Sequence, residues 1–263
     1  MIKLIATDMD GTFLKDDMSF DTDKFDTIYK RLESEKINFV VASGNQYFQL
    51  KSFFEKYPDI IYIAENGAYI RDIKQTYAVH AFDTAIVKTI LDKLESIPDL
   101  KILVCGAKSA YALNTVDPQH VEHMRNYYHQ LKVIKNYSEI NDDILKFAIT
   151  CPADATDDIV VKLRNTLTGM AEPTSSGRGD IDIIQPGMNK AAGLKELGQI
   201  LHVEMDEMVA FGDGGNDLEM VREVGLGVAM ENAQPDVIEV SDQTTSSNQN
   251  QGVLTFISDL LGD

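Results

Sequence analysis

The chain has 263 residues, which is long enough for one large domain or two moderate ones. Its 42 acidic residues outnumber the 24 basic ones, and the formal net charge of −18 argues against nucleic acid or an anionic membrane as a partner. Cys105 and Cys151 stand apart in apolar surroundings, a pattern typical of buried thiols in a reducing compartment. There is no basic leader, and no apolar run has the length of a membrane-spanning helix, so we expect a cytoplasmic protein.

The first predicted element is a short apolar strand over residues 2–6, which leads into two carboxylates, Asp8 and Asp10. Side chains alternate along an extended chain, so both carboxylates point the same way. A hard cation such as Mg2+ would relieve their repulsion, and Gly11 allows a sharp turn with a backbone amide free to meet an anion. Taken alone, the same residues are also compatible with a solvated turn after an edge strand.

Helices and strands alternate after this strand. The spacing of apolar residues predicts a helix over residues 21–36, a strand over 37–42, a helix over 46–56 and a strand over 60–64. Such alternation is typical of an α/β fold with a doubly wound parallel sheet.

The pattern changes near residue 83 and stays different up to residue 185. This block has a mixed α+β pattern with enough apolar residues for a core of its own, so we predict an inserted domain over 83–185. Its predicted elements are a helix around 86–94, a strand at 102–104, a helix at 122–130, strands at 132–134 and 147–150, a helix at 157–167 and a strand at 181–184.

The first pattern resumes at residue 186, so the core domain is predicted to consist of residues 1–82 and 186–263. A helix carrying Leu194, Leu197 and Leu201 leads into a strand over 208–211. A short strand over 225–229, a surface loop over 244–251 and a final helix over 253–261 complete the prediction.

Polar side chains follow four of the predicted core strands at their carboxyl ends. These ends meet at one edge of a parallel sheet, so residues far apart in the chain are expected to share one crevice. A pocket of carboxylates, a lysine, a hydroxyl and glycine amides can hold a divalent cation together with a phosphoryl group. The residues are Asp8, Asp10, Ser43, Gly44, Glu65, Asn66, Gly67, Asp213, Asn216 and Asp217, with Lys190 at the start of a helix.

This set favours phosphoryl transfer to a carboxylate. There is no Gly-x-x-x-x-Gly-Lys-Ser/Thr loop, which argues against nucleotide hydrolysis of the P-loop kind. In the predicted reaction Asp8 attacks phosphorus, while Asp10 protonates the leaving alkoxide and then activates water. Mg2+ would be held by Asp8, Asp213 and the backbone carbonyl of Asp10, and Lys190 and Ser43 would bind phosphoryl oxygens.

Four stretches resemble, in order and spacing, the four motifs of the haloacid dehalogenase (HAD) superfamily. They are Asp-Met-Asp-Gly-Thr at 8–12, Ser-Gly at 43–44, Lys190, and Gly-Asp-Gly-Gly-Asn-Asp at 212–217. The insertion resembles the type IIB cap of the Cof-type branch, and residues 41–47 and 64–68 look most like bacterial sugar phosphatases. The resemblance therefore implies a Rossmann-like core domain and a cap, and we use these two names below.

The resemblance also implies roles for single residues. Asp8 would be the nucleophile and Asp10 the acid/base, with Mg2+ on Asp8, Asp10 and Asp213. Phosphate would be bound by the Met9 amide, Ser43, Gly44, Lys190 and Asn216. Asp217 would support Lys190 or the metal shell, and Thr12 is a further supporting residue. Many Cof-type members have arginine where this chain has Asn45, a change that suits a neutral polyhydroxy leaving group.

Several residues keep two interpretations. Glu65 and Asn66 either face the substrate or form an ordinary turn, and Arg178 either closes over the substrate or lies on a flexible hairpin. His120 and His123 fit a solvent-facing helix better than a metal site.

The expected function is Mg2+-dependent hydrolysis of small sugar phosphates. The alternatives are a phosphotransferase or mutase, a phospho-accepting switch and a sugar-phosphate-binding regulator.

Overall fold

A computed structural model describes residues 1–177 and 179–262, with the side chains of 175–177 left aside. The first segment of the chain alternates strands and helices, as predicted, because short β-branched and apolar runs are separated by amphipathic stretches. Its elements are β1 (Leu4–Thr7), α1 (Thr22–Glu35), β2 (Asn38–Ala42), α2 (Tyr47–Phe53), β3 (Ile61–Ala64), β4 (Tyr69–Arg71) and β5 (Thr76–Val79).

The middle segment forms a second sheet with three helices. Its elements are α3 (Thr84–Glu95), β6 (Lys101–Gly106), β7 (Ala110–Leu113), α4 (Pro118–Met124), β8 (Leu131–Ile134), β9 (Ile144–Thr150), α5 (Thr156–Thr166), β10 (Glu172–Gly177) and β11 (Asp180–Ile184). The strand order is β10-β11-β9-β6-β7-β8, and all pairs are antiparallel except β7 with β8.

The last segment returns to the first sheet. Its elements are α6 (Lys190–Leu201), β12 (Met208–Gly212), α7 (Leu218–Glu223), β13 (Leu226–Met230), α8 (Pro235–Val240), β14 (Gln243–Thr245) and α9 (Gly252–Leu261). The eight strands lie in the order β14-β13-β12-β1-β2-β3-β4-β5. The six from β14 to β3 are parallel, which confirms the predicted α/β class, and β4 and β5 extend the sheet antiparallel.

The centre of this sheet brings distant strand ends together. Thr7, the last residue of β1, pairs with Phe211 of β12 on one side and with Val41 of β2 on the other. The residues that follow these strands therefore emerge side by side at one edge of the sheet, where open α/β sheets bind ligands.

The chain passes between the core and cap sheets at two neighbouring points. Gln185 Nε2 donates a hydrogen bond to the carbonyl oxygen of His80 at 2.6 Å, which ties the two passages together. His80 Nε2 also lies 2.6 Å from Glu196 Oε2 on α6.

The sequence prediction placed one cap helix too late in the chain. Instead of residues 122–130, the helix α4 covers Pro118–Met124. Asp117 accepts a hydrogen bond from the Gln119 amide as N-cap, and Pro118 occupies the first turn, where its missing N–H costs nothing.

The hairpin of β4 and β5 was missed because both strands are short and β5 is largely exposed. Its turn has a local cause in Asp72, whose Oδ1 accepts from the Lys74 and Gln75 amides, each at 2.6 Å. The predicted loop over 244–251 likewise begins with the short strand β14. No helix in the described part of the chain is long and apolar enough to span a bilayer.

Aromatic rings fill the core domain beneath α1. The ring of Phe25 lies edge-on to Phe13, Phe39 and Tyr57, with centroid distances of 5.4, 5.1 and 4.8 Å. Phe25 is fully buried and, with Ile28, Tyr29 and Leu32, packs α1 against the core.

We expect Phe25→Ala to lower the free energy of unfolding by about 3–5 kcal/mol, because it removes buried ring contacts and leaves a cavity. Urea denaturation followed by circular dichroism measures the loss. Phe53→Ala, which truncates a half-buried ring, is the matched control and should cost clearly less. Equal losses for the two variants would contradict the anchoring role of Phe25.

Candidate active site

A cavity of about 660 Å³ lies between the core sheet and the cap. Seven predicted site residues line it from the core side, and each follows the carboxyl end of a central strand. These are Asp8, Asp10, Ser43, Gly44, Asn45, Asp213 and Asn216. Arg178 lies outside the described residues.

Lys190 lies buried beneath the cavity between two carboxylates. Its Nζ is 2.6 Å from Asp8 Oδ1 and 2.6 Å from Asp217 Oδ1. It is the first residue of α6, whose N-cap Asn189 accepts a hydrogen bond from the Ala192 amide. A buried ammonium is tolerated only when it is paired and hydrogen-bonded, so this position fixes both carboxylates.

Asp217 organises the loop that follows β12. Its Oδ2 accepts hydrogen bonds from the backbone amides of Asp213 and Gly214, both at 3.0 Å, while Oδ1 binds Lys190. Gly212 is required here because a Cβ at this position would collide with the Asp217 side chain. The loop therefore presents Asp213 to the cavity in one orientation.

Thr12 and Gly11, from the loop that follows β1, also fix the position of the Asp213 carboxylate. Thr12 Oγ1 donates a hydrogen bond to Asp213 Oδ1 at 2.6 Å. Gly11 adopts a left-handed φ of 78°, and a Cβ there would collide with the same carboxylate. Residues 8–12 and 212–217 thus pack closely together, because Gly11 has no side chain and the Thr12 hydroxyl binds Asp213.

The carboxylates of the site repel one another. Burial raises the pKa of Asp8 well above its ordinary value, with Asp217 adding to the effect and Lys190 opposing it. Burial, and next the Asp217 carboxylate, raises the pKa of Asp213 to about 6. Oxygen atoms of Asp8, Asp213 and Asp217 lie within 4.8 Å of one another, so a hard divalent cation fits both the charge and the donor set.

Asp10 stands apart from this triad and opens onto the cavity. Its Oδ2 accepts a hydrogen bond from Asn45 Nδ2 at 2.5 Å. Desolvation by the surrounding protein raises the pKa of Asp10, and the Asn45 bond acts in the opposite direction. The site therefore combines two different carboxylates. Asp8 is paired with a lysine, whereas Asp10 is hydrogen-bonded to the Asn45 side chain and faces the cavity.

Met9 is fully buried, so its side chain belongs to the core and only its backbone can serve the site. Ser43 Oγ accepts a hydrogen bond from the backbone N–H of Asn45 at 3.1 Å. The hydroxyl hydrogen of Ser43 is therefore left to donate elsewhere. Both positions agree with a site that binds an anion through backbone and hydroxyl groups.

Glu65 and Asn66 contact the cap and do not line the cavity. Both have left-handed φ angles, 53° and 57°, in the short turn after β3. Asn66 Nδ2 donates to Asp182 Oδ2 of β11 at 2.6 Å, and Glu65 Oε2 lies 3.4 Å from Lys146 Nζ of β9. Burial raises the pKa of Glu65 to about 7, with Lys146 acting against it.

The cap side of the cavity was largely missed by the sequence analysis. His120 is half-buried and His123 is exposed, which agrees with a solvent-facing helix, and the sequence analysis missed that both also line the cavity. The useful signal was the Asp117-Pro118 start of α4, which places residues 120, 123 and 124 at helical spacing on one face. The cap lining is His120, His123, Met124, Tyr127, Tyr128, Lys146, Ala148, Ile149, Thr150, Asp180, Ile181 and Asp182.

Comparison with known proteins agrees with this geometry. Residues 5–257 match the family model of haloacid dehalogenase-like hydrolases. The chain is 36% identical over 261 residues to 5-amino-6-(5-phospho-D-ribitylamino)uracil phosphatase YbjI of Escherichia coli K12, covering 99% of this chain and 96% of that protein.

Solved structures show the same architecture over the whole chain. SMU.1108c from Streptococcus mutans UA159 superposes with a TM-score of 0.94 at 31% identity, covering 100% of both chains. The HAD subclass IIB sugar phosphatase BT4131 shares the fold, with a TM-score of 0.84 at 18% identity and 98% of each chain covered. The predicted resemblance is confirmed: the chain belongs to the haloacid dehalogenase-like hydrolases and is a phosphomonoesterase of that superfamily.

Proposed function

We propose that the protein is a Mg2+-dependent phosphatase that hydrolyses small sugar phosphates through an aspartyl-phosphate at Asp8. The observation that carries this proposal is the buried contact of Lys190 with Asp8 inside a cluster of carboxylates beneath the cavity. A lysine 2.6 Å away favours the ionised form of Asp8 and fixes its orientation for attack.

Asp8 and Asp10 divide the chemistry between them. A carboxylate oxygen of Asp8 attacks phosphorus, the bond between phosphorus and the ester oxygen breaks, and the leaving oxygen takes a proton from Asp10. Asp10 then removes a proton from a water molecule, whose oxygen attacks phosphorus and releases phosphate and free Asp8. Because Asn45 binds Asp10 Oδ2, the other oxygen, Oδ1, is the one that carries the proton.

Asp8, Asp213 and the backbone carbonyl of Asp10 are the proposed Mg2+ ligands, with Asp217 fixing the loop beneath them. The bound cation would neutralise the repulsion between the substrate phosphate and these carboxylates. Support comes from the raised pKa values of Asp8 and Asp213, since a cation stabilises the charged forms that burial disfavours.

The phosphoryl group is proposed to contact the Met9 amide, Ser43, Gly44, Lys190 and Asn216. Three of these residues, Ser43, Gly44 and Asn216, line the cavity. Lys190 lies behind Asp8, which lines the cavity and contacts the Lys190 ammonium. Hydroxyl, amide and ammonium donors converging at one strand edge are suited to the oxygens of a phosphoryl group.

The cap lining favours a leaving group that is neutral and rich in hydrogen-bond donors. Asp180 and Asp182 would repel a second anionic group but accept bonds from hydroxyl groups, and Tyr127 and His123 offer rings for stacking. The volume is within the range of small-molecule pockets. The substrate in the name of the E. coli relative, a phosphorylated ribitylaminouracil, combines a polyol with a ring and belongs to the panel to be tested first.

We also propose residues 83–185 as a cap domain that closes over a core domain of residues 1–82 and 186–263. Each part has its own sheet and its own cluster of buried apolar side chains. Closure would exclude bulk water from the reacting phosphate and bring the cap lining onto the leaving group.

Asp8→Asn should reduce kcat by on the order of 10³-fold or more on every substrate, because an amide cannot form the phosphoryl intermediate. Phosphate release with Mg2+ would be measured over hexose and pentose phosphates, phosphorylated ribitylaminouracil and acetyl phosphate. Asp236→Asn makes the same change on an exposed residue of α8 and should keep wild-type rates. An active Asp8→Asn enzyme would exclude the mechanism, and phosphate transferred to a second sugar would point to a phosphotransferase.

Mg2+ affinity should fall as the pH drops through about 6. Asp213 binds a proton below that pH in the metal-free protein, and burial also raises the pKa of Asp8, so the cation must displace protons from its ligands, which weakens binding by about tenfold or more per pH unit. Titration calorimetry between pH 5 and 8 checks this. Thr12→Val removes the hydrogen bond that lowers the pKa of Asp213 and should move the fall to higher pH, whereas Thr12→Ser should not. Constant affinity over the whole range would refute the assignment of Asp213.

A further inference from the structure

Lys146 is a buried lysine of the cap whose ammonium group contacts the core domain. Its side chain is 2% exposed, and its Nζ lies 2.6 Å from the carbonyl oxygen of Gly44, 2.8 Å from Asp182 Oδ2 and 3.4 Å from Glu65 Oε2. Two of the three N–H donors of the ammonium hydrogen-bond the Gly44 carbonyl and Asp182, and Glu65 pairs with it through charge alone, since its Oε2 has no hydrogen-bond partner. Lys146 borders the cavity, but its ammonium is held in place by protein groups.

The partners of Lys146 come from both domains. Gly44 and Glu65 belong to the core, whereas Asp182 lies on β11 of the cap and also accepts a hydrogen bond from Asn66 of the core. The preceding residue, Leu145, packs into the apolar cluster of the core domain. Buried charges need such partners, so the arrangement is satisfied only while the cap is seated on the core.

The hydrogen bond from Lys146 to the Gly44 carbonyl also affects groups proposed to be catalytic, because this carbonyl lies in the same peptide plane as the next N–H. The Gly44 carbonyl and the Asn45 N–H belong to the same rigid peptide unit, so fixing the carbonyl fixes the N–H. That N–H donates to Ser43 Oγ at 3.1 Å, and the side chain of Asn45 donates to Asp10 Oδ2. One bond from the cap thus orients the hydroxyl proposed to bind phosphate and the amide that holds the acid/base.

We propose that Lys146 is a positioning residue of the phosphatase site, which shapes the Ser43–Asn45 loop for phosphate when the cap is seated. The proposal rests on the proposed function for the assignment of this loop to phosphate. It couples cap closure to phosphate binding, because an open cap withdraws the ammonium and releases the Gly44–Asn45 peptide. The protein then binds phosphate tightly and orients Asp10 correctly only when the cap is closed.

The test separates positioning from folding with a pair of variants. Lys146→Met keeps most of the length of the side chain but leaves both Asp182 and Glu65 without their cation, so the melting temperature should fall. Adding Glu65→Gln removes the buried charge whose Oε2 has no hydrogen bond, while Asp182 keeps the hydrogen bond from Asn66, so part of the lost melting temperature should return. In this double variant the Gly44 carbonyl still lacks its donor, so we expect inorganic phosphate, with Mg2+ present, to bind about tenfold more weakly and kcat to fall by at least as much.

Lys108→Met is the matched control. Lys108 is also a cap lysine that donates to a backbone carbonyl, that of Asn141, but within the cap and on an exposed surface. This variant should keep wild-type phosphate affinity and kcat. Calorimetric titration with inorganic phosphate gives the affinity without any turnover, and steady-state rates give kcat and KM.

The outcomes differ for the two proposals. Wild-type phosphate affinity and kcat in the stable double variant would overturn the positioning role and leave Lys146 a structural residue. Weak phosphate binding in that variant, with a wild-type protein that hydrolyses no ester, would support the positioning role while refuting the proposed phosphatase function. Weak binding together with a lowered kcat supports both.

Discussion

The buried ammonium of Lys190 is the constraint on which the rest of the site depends. Its two carboxylate partners, Asp8 and Asp217, follow β1 and β12, which are more than two hundred residues apart in the chain. An unpaired charge at this depth would be severely destabilising, so these two strands must lie side by side for the protein to fold. The parallel backbone pairing of Thr7 with Phe211 places the two strands side by side in this way. Sheet order and active-site charge are thus linked.

One lysine does not balance the charge around it. Asp8, Asp10, Asp213 and Asp217 crowd the same strand ends, and their mutual repulsion adds to burial in raising the pKa of Asp8. A site with this surplus of negative charge binds a dianionic phosphate poorly unless a cation accompanies it. Metal and substrate are therefore expected to stabilise each other in the cavity, and removing either should weaken the other.

Much of this site could be predicted from the sequence, because strand ends of a parallel sheet converge by geometry. Asp8, Ser43 and Asp213 each follow a clear apolar run, so their meeting point needed no knowledge of the cap. Lys146 gave no such signal, since a single charge within an apolar strand has no local partner and its role depends on tertiary contacts. Glu65 and Asn66 resembled an ordinary turn, and only their left-handed backbone and cap contacts distinguish them. The α4 helix was placed too late because its first turn carries polar residues, although Asp117 and Pro118 mark its start.

The hydrogen bond between Gln185 and the His80 carbonyl has a consequence for how this protein can vary. It holds the entry and exit of the inserted domain next to each other, so the insert leaves and rejoins the host sheet at almost one place. An insert with adjacent ends can be lengthened, shortened or exchanged as a unit while β1, β2 and β12 keep their register. The groups that recognise the organic part of the ester can therefore change with the insert during evolution, provided that the insert keeps a cation at the place of Lys146. A graft of a related insert between His80 and Gln185 that carries a lysine at the place of Lys146 should retain the hydrolytic machinery and acquire the selectivity of its donor.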